Sequence, residues 1–450
     1  MKPLVTPAEM AAVDAAAPES EEMLVDRAGR AVCRAAIKIM GGTYGRRVAV
    51  VAGPGNNGAD GRVAAGHLRR RGVRCAVLDA LTPSESPAQV DLVIDAAFGT
   101  GLKRPYEFPD IAPGVPVLAV DIPSGVDGLT GEILGVPAAA SWTVTFAALK
   151  PGLLIEPGRS LAGRVEVADI GLGVGPRHSH LVEASDVAAW IPPRSAVDHK
   201  WTTAVRVIAG SPGMTGAAHL SARGAQRAGA GYVQLGTPGL GDDPGGPIEA
   251  VGLGLPAASW AREAGLGLER FHALLVGPGL GSGQLRELVS LIESMADLPI
   301  PIVVDGDALA LDLLEVLRDR AAPTVITPHD GEWRRLGGSD SPDRISAVRE
   351  LASTYSFTVL RKGPSTVVAD PDGEVWITAN GGPELATAGT GDVLAGVTAA
   401  LLARGLRAPH AAAAAAFVHA DAARLAGPGL VAGDIPNHLR TAMSWQALRP

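Results

Sequence analysis

Cysteine is nearly absent from this 450-residue chain, which holds only Cys33 and Cys75. Two thiols, one expected in a helix and one in a strand, make no disulfide framework, and no His/Cys spacing suggests zinc. A reducing compartment and two core residues are the reading. Positive charge is also short, with 39 basic against 47 acidic residues and a net charge of −8. Without a long basic run, a nucleic-acid partner lacks its electrostatic footprint. Long apolar runs are missing too. The most apolar helix candidate, Val393 to Ala403, is bounded by Asp392 and Arg404 and falls short of the roughly 20 residues a membrane span needs. The opening "MKPLVTPAEMAAVDAAAPESEE" has no apolar core of a signal peptide and soon turns acidic, unlike a transit peptide. These absences leave a cytoplasmic protein that works on small molecules.

What is present is apolar content of 47% and charged content of 19%, with 57 glycines and 35 prolines. That describes a globular chain with many tight loops, too long for one ordinary core. From Arg46 to Val167, the β-rich runs "RRVAVVA", "VRCAVLDA", "VDLVIDAA", "VPVLAVD" and "SWTVTFAA" alternate with helical or loop segments, which predicts a parallel sheet with helices on both faces. A helix over Met23 to Met40 precedes it. The Gly-rich "GLGVGPRHSH" (Gly171 to His180) reads as a linker, so domains over 1–180 and 181–450 are expected. The second half repeats the pattern with "AVRVIAG", "GYVQLGT", "HALLVGPG", "IPIVVDGDA", "PTVITPH", "FTVLRKG" and "STVVAD". It predicts a larger α/β sheet closed by the Ala-rich helices from Asp392 to Leu425, with Ala411 to Ala416 as packed helix.

In an open α/β sheet, ligands bind outside the carboxyl ends of the strands. The first half places chemistry there three times: "GPGNNGADG", then Asp95 in "DAAFGTGLKRP", then Asp121 in "DIPSGVDG". Gly53, Gly55 and Gly58 match the G-x-G-x-x-G of a dinucleotide loop, with Asp79 near the spacing of a ribose-binding acid. A dehydrogenase would show the same. The converging amides and carboxylates also suit a monovalent cation beside a phosphate-bearing ligand. Asn57, Asp95 and Ser124 would supply oxygens, and the "GTGLK" amides with Lys103 would face phosphate. Asn57 and Asp60 have an ordinary use as well, in turns and helix caps.

In the second half, Gly389, Thr390 and Gly391 form a turn directly before a helix, whose amides and dipole hold anions. Asp392 follows in the first turn. Beside a developing phosphoryl charge, it reads as a general base rather than a cap. "GPGLGSG", "VVDGDAL", His329 in "ITPHDGE" and Lys362 in "LRKGPST" point to the same pocket.

Taken together, "GPGNNGADG", "DAAFGTGLKRP" and "DIPSGVDG" resemble the epimerase domain of the bifunctional NAD(P)H-hydrate repair enzymes. "GPGLG", "VVDGDAL", "TPHDGE", "RKGPST" and "ATAGTGDVLAG" resemble their dehydratase domain. The resemblance implies a Rossmann-like three-layer α/β sandwich followed by a ribokinase-like α/β domain. It implies an epimerase interconverting the R and S forms of NADHX and NADPHX, and an ADP-dependent dehydratase returning the S form to NAD(P)H. Potassium would lie on Asn57, Asp95 and Ser124, with Asp121 as acid/base, and magnesium would accompany ADP. Substrate contacts are implied at Asn56, Asn57, Gly58, Asp60, Gly99, Thr100, Gly101, Leu102 and Lys103, and at Ala217, Gly279, His329 and Asp392. The nucleotide would meet Lys362, Gly363, Pro364, Ser365, Thr366, Gly389, Thr390 and Gly391. Membrane and nucleic-acid partners are not implied, and a homo-oligomer is left open.

Three features depart from the family pattern: Ala59 stands where a second glycine is usual, Trp201 follows His199-Lys200 where glycine is common, and "GGPIEAVG" is only loosely matched. Lys200 and Glu249 therefore stay unassigned. A ribokinase-like small-molecule kinase with an accessory nucleotide-binding domain is the alternative, though it leaves the first carboxylate pocket unexplained. A binding protein that has lost its acids, and a dehydrogenase that gives the second half no role, are further rivals.

Overall fold

The computed structural model describes residues 1–82, 89–241 and 246–444. Residues 2–179 form one compact unit, and the chain from His180 onward, with Met1, forms another.

The first unit is built on six strands: β1 (Arg47–Ala52), β2 (Arg74–Asp79), β3 (Leu92–Ala96), β4 (Val117–Val120), β5 (Trp142–Phe146) and β6 (Arg164–Ala168). They lie in the order β2-β1-β3-β4-β5-β6 and are all parallel. Apart from Arg47, every residue of β1, β3 and β4 is buried, as continuous apolar runs covered on both faces must be. The edge strand β2 is largely exposed, so Cys75, expected in the core, is only half-buried, while Cys33 is buried. The helix α1 (Glu21–Met40) begins before Met23 because the Ser20 hydroxyl accepts the Met23 amide and Glu21 and Glu22 favour its first turn. Helix α2 (Asn56–Arg69) follows β1. From β1 the chain passes to β2 on one side and returns to β3 on the other, which leaves a crevice at the carboxyl ends of β1 and β3.

The second unit carries β7 (Ala204–Ile208), β8 (Tyr232–Gly236), β9 (Val251–Leu253), β10 (Ala273–Val276), β11 (Ile302–Val304), β12 (Thr324–Ile326), β13 (Thr358–Arg361), β14 (Thr366–Ala369) and β15 (Val375–Thr378). They run in the order β15-β14-β13-β12-β11-β10-β7-β8-β9. Pairing is parallel from β13 to β9 and antiparallel for β13 with β14 and β14 with β15. Again the strand order reverses, here between β7 and β10.

Helices α3 (Thr215–Arg227), α4 (Thr390–Ala403) and α5 (Ala408–Ala426) pack on one face of this sheet around Val205, Val207, Leu275 and Val303. The alanine run inside α5 is wholly buried. Helices α3 and α4 meet backbone to backbone. A Cβ on Gly396 would stand 2.0 Å from the Ser221 carbonyl oxygen, and one on Gly224 would stand 2.5 Å from that of Val393. Alanine at 396 improves helix propensity by about 1 kcal/mol, but the clash is with rigid backbone, and overpacking of this kind costs about 1–3 kcal/mol or more. Gly396→Ala is therefore expected to lower the thermal midpoint of the second unit, followed by circular dichroism; an unchanged or higher midpoint would contradict the packing.

Candidate active sites

In the first unit a pocket of about 860 Å³ opens at the carboxyl ends of the strands, lined by Asn56, Asn57, Asp60, Gly99 to Lys103 and Asp121 among others. Its floor is set by close backbone approach. A Cβ on Gly53 would lie 1.8 Å from the Ala97 carbonyl oxygen, and one on Gly58 would lie 1.8 Å from that of Gly53. Gly55 meets no such obstacle and forms the N-cap of α2 with no side-chain cap, so the first amides of α2 are open to an anion. Asp79 is occupied locally, its carboxylate accepting from the Leu81 amide at 2.9 Å.

Asp95, next to last in β3, is fully buried. Its carboxylate accepts from the Ser124 hydroxyl, from the Ser124 amide at 2.7 Å and from the Ala97 amide at 3.3 Å. Burial pushes it up to about 6, against the lowering effect of those bonds. The Ser124 hydroxyl also lies 3.0 Å from the Phe98 carbonyl oxygen. Asn57 lies against Gly99 together with Asp121, and its amide nitrogen is buried without a partner. Carboxylate, hydroxyl, carbonyl and amide oxygens form a hard donor set, which fits a potassium-sized cation better than a transition metal.

Asp121 follows β4 in the left-handed region at φ 67, and Ala147 follows β5 at φ 61. Such strain costs about 1–3 kcal/mol per residue and persists where surrounding structure over-determines it. Here it delivers two partners to each other. The Lys150 ammonium, 1% exposed, donates to Asp121 Oδ1 at 2.7 Å, and the Thr145 hydroxyl donates to the same oxygen at 2.9 Å. Lys150 escaped the sequence reading, although an isolated lysine closing the apolar run "WTVTFAALK" was a usable signal. Of the glycine loop, Lys103 is exposed and reaches Asp127 at 3.5 Å, while Leu102 packs with Tyr106 and Phe108.

The second site lies at the corresponding end of the other sheet. Gly389 is left-handed at φ 89 and caps α4, placing Asp392 in its first turn. Burial, then the neighbouring Asp305, pushes the Asp392 carboxyl up to about 7, with Lys362 opposing. Lys362, from the end of β13, donates to Asp305 Oδ1 at 2.7 Å and lies 3.6 Å from Glu332. Burial works against its charge, but Asp305, Glu332 and Asp392 together hold its ammonium above the usual range. A Cβ on Gly391 would stand 3.3 Å from that ammonium, so the turn and the lysine share one spot. His419, fully buried and lowered to about 4 by desolvation, is neutral and donates to the Thr390 carbonyl at 2.9 Å.

Ala217 and Gly279 are brought together, a Cβ on Gly279 meeting that of Ala217 at 2.7 Å. His329 caps a short helix, its Nδ1 accepting from the Gly331 and Glu332 amides at 2.9 and 3.2 Å. Gly363 to Ser365 form the turn between β13 and β14, and Thr366 opens β14. Arg344 and Arg361 both bind Asp330 there, and Arg344 also reaches the Lys362 carbonyl at 3.2 Å. That arginine pair was another omission, because its members lie far apart in sequence.

A family model described as NAD(P)H-hydrate dehydratase matches residues 205–443, and one described as YjeF-related protein N-terminus matches residues 21–89 and 78–152. The bifunctional NAD(P)H-hydrate repair enzyme of Moorella thermoacetica is 36% identical, covering 97% of this chain and 96% of its own length. That of Mycobacterium leprae is 38% identical over 90% of both. Among solved structures, the ADP/ATP-dependent NAD(P)H-hydrate dehydratase of Bacillus subtilis, crystallised with ATP and magnesium, superposes with a TM-score of 0.50 at 28% identity, covering 58% of this chain and 96% of its own. A ribokinase-like superfamily protein of Enterococcus faecalis shares the fold at a TM-score of 0.52 and 22% identity, covering 60% of this chain and 97% of its own. With two domain models in series and two relatives matched over nine-tenths or more of both lengths, the chain belongs to the family of bifunctional NAD(P)H-hydrate repair enzymes.

Proposed function

We propose that the chain repairs hydrated NADH and NADPH in two steps, one in each unit. The residues 1–180 would interconvert the R and S epimers, and residues 181–450 would return the S epimer to NAD(P)H using ADP. The observation that carries this reading is the recurrence, in two separate sheets, of an anion-binding helix start beside a carboxylate and a buried lysine. A kinase reading employs only the second. With two free cysteines, we place the protein in the cytoplasm.

In the first site, Asn56, Gly58, Gly99, Thr100, Gly101 and Lys103 would hold the dinucleotide through backbone amides and one ammonium. Potassium on Asn57, Asp95 and Ser124 would supply positive charge when bound. Asp121 would exchange protons at the hydrated carbon, oriented by Lys150 and Thr145. Asp121→Asn should stop R-to-S conversion while ADP-driven loss of the S epimer continues, so that a mixed substrate leaves R as residue. Chromatographic separation of the epimers checks this. Conversion above the spontaneous rate at the wild-type level would refute the role.

Lys150 is a positioning residue whose loss also leaves Asp121 without its buried partner. Breaking such a pair by removing one member costs about 3–5 kcal/mol. Lys150→Met should lower the melting temperature of the first unit and reduce epimerisation through kcat more than KM. A double variant with Asp121→Asn should recover stability but not activity. Equal melting temperatures for Lys150→Met and wild type would remove the pair from the account.

In the second site, Asp392 would take the proton of the ring hydroxyl. The α4 amides and Lys362 would hold the phosphoryl charge, and Gly363 to Thr366 the remaining phosphates. Phosphorylation converts hydroxide, a poor leaving group, into phosphate. Magnesium would accompany the nucleotide, with Asp305 and Asp307 as nearby hard oxygen donors. Asp392→Asn should cut dehydration by roughly 10² to 10⁴ with nucleotide binding retained. The sign of the pH dependence follows: a base must be deprotonated, so wild-type kcat/KM should rise as pH passes through about 7. That limb should be absent from the residual activity of the variant.

A further inference from the structure

Asp60 has no structural employment. It stands on α2 beyond the first turn, while the N-cap is Gly55, so the capping role open to an Asx residue in a sequence is not the one it fills. It is 7% exposed and lines the same pocket as Asp121. Among the described residues, none donates a hydrogen bond to its carboxylate. A carboxyl buried this far with neither ion pair nor donor is costly to ionise, which favours its protonated form.

Its surroundings enforce this. Burial pushes Asp60 up to about 8, and the charges of Asp121 and of Asp14, on the helix Pro7–Ala15, push the same way. The pocket also contains Glu19, Glu21, Lys103, Arg104 and Lys150. The Lys150 ammonium is committed to Asp121 Oδ1 and the Phe146 carbonyl, while the exposed Lys103 lies 3.5 Å from Asp127. One carboxyl is thus kept protonated and another is kept paired with an ammonium. They come from elements flanking β3: α2 follows β1, and Asp121 follows β4. A carboxyl raised by burial beside one held in an ion pair, both lining one pocket, is an arrangement suited to an acid beside a base.

We propose that Asp60 is the general acid that partners Asp121 in the epimerisation, a role that rests on the epimerase reading of this unit. The chemistry requires both. An enamine of a dihydropyridine ring takes a proton at the carbon β to nitrogen, and water then adds to the carbon beside nitrogen, so the hydrated centre is a hemiaminal. Inverting it breaks and remakes one C–O bond. The ring nitrogen lone pair forms C=N⁺ as the hydroxyl departs with the Asp60 proton, leaving as water. A second water adds to the opposite face while Asp121 removes its proton, and the electron pair of C=N⁺ returns to nitrogen. One proton has then moved from Asp60 to Asp121. The reverse conversion uses the same pair with the roles exchanged, and for successive turnovers in one direction Asp121 gives its proton to pocket water and Asp60 takes one back, which restores the starting pair.

The test uses the full-length protein and separated R epimer without ADP, scored above the spontaneous rate. Asp60→Asn fills the same space but has no acidic proton to give. R-to-S kcat should fall by roughly 10² to 10⁴ with KM little changed, and Asp60→Glu should restore part of it. Wild-type kcat/KM should decline on an alkaline limb near pH 8 that Asp60→Asn lacks. The asparagine variant should melt no lower than wild type at pH 8.5, because a buried carboxylate has been removed, which separates lost chemistry from lost folding. Wild-type kcat in Asp60→Asn, a change in KM alone, or an alkaline limb that persists in the variant would each overturn the proposal. The distinction from the wider reading lies in Asp121→Asn: if that variant is inactive while Asp60→Asn is not, only the acid is misassigned. If both retain full activity, the epimerase reading itself falls.

Discussion

Both sites depend on the desolvation of carboxyls at the carboxyl ends of parallel strands. A strand buried on both faces carries its terminal side chain into a place where water cannot reach, and an ionised acid there needs a cation or must take up a proton. Each unit answers in the same way. One strand-end acid receives a buried ammonium at 2.7 Å, Asp121 from Lys150 and Asp305 from Lys362. A second acid has no ion pair of its own and is pushed up, first by burial and then by neighbouring carboxylates, Asp60 to about 8 and Asp392 to about 7. A buried pair beside a proton-holding acid gives a site both signs of proton chemistry near neutral pH.

This arrangement is costly to the fold, with a definite pH dependence. The carboxyl of Asp392 or Asp60 starts from an ordinary value of 3.8 in the unfolded chain and is raised on folding. The folded state therefore binds the proton more tightly than the unfolded state. Below about 4 both states are protonated and there is no penalty. As pH rises the penalty grows, and it is complete above about 7 for Asp392 and about 8 for Asp60. Acids with lowered values behave in the opposite sense: Asp330, held down by Arg344 and Arg361 against its burial, adds stability that is lost on acidification. Asp60 and Asp392 thus cost stability as pH rises, whereas Asp330 costs it as pH falls.

Much of this was legible in the sequence because strand-end position is a period signal. Runs such as "DLVID" and "PVLAVD" announce both the buried strand and the acid that ends it, and "AGTGDVLAG" announces a helix start with an acid in its first turn. What could not be read were partners from another part of the chain. Lys150 meets Asp121 because of two left-handed residues at the ends of adjacent strands, and no local rule predicts positive φ at an aspartate or an alanine. Asp14 was hidden for the same reason, since only tertiary packing brings its helix to the pocket. Cys75 was misjudged because an apolar β run does not say whether its strand lies at an edge. Asp60 was read as either a cap or a ligand contact, and only the position of the Gly55 cap shows that it is not the former.

The glycine spacing that resembles a hydride-transfer loop has a physical origin independent of redox chemistry. Gly53 and Gly58 are required because each lies against a carbonyl oxygen at a distance no Cβ could occupy, one on Ala97 and the other on Gly53 itself. These contacts fold the loop back over the end of β3, so that α2 begins directly above the crevice with its amides free. Any ligand with a pyrophosphate can use such a helix start, and nothing in it selects for hydride transfer. What selects is the neighbouring chemistry. A hydride carrier needs a substrate placed against its ring, whereas here the pocket holds Asp121 on its ammonium after β4 and Asp60, raised by burial, on α2. Under the proposed function, the same spacing would hold a nicotinamide dinucleotide as the molecule to be altered.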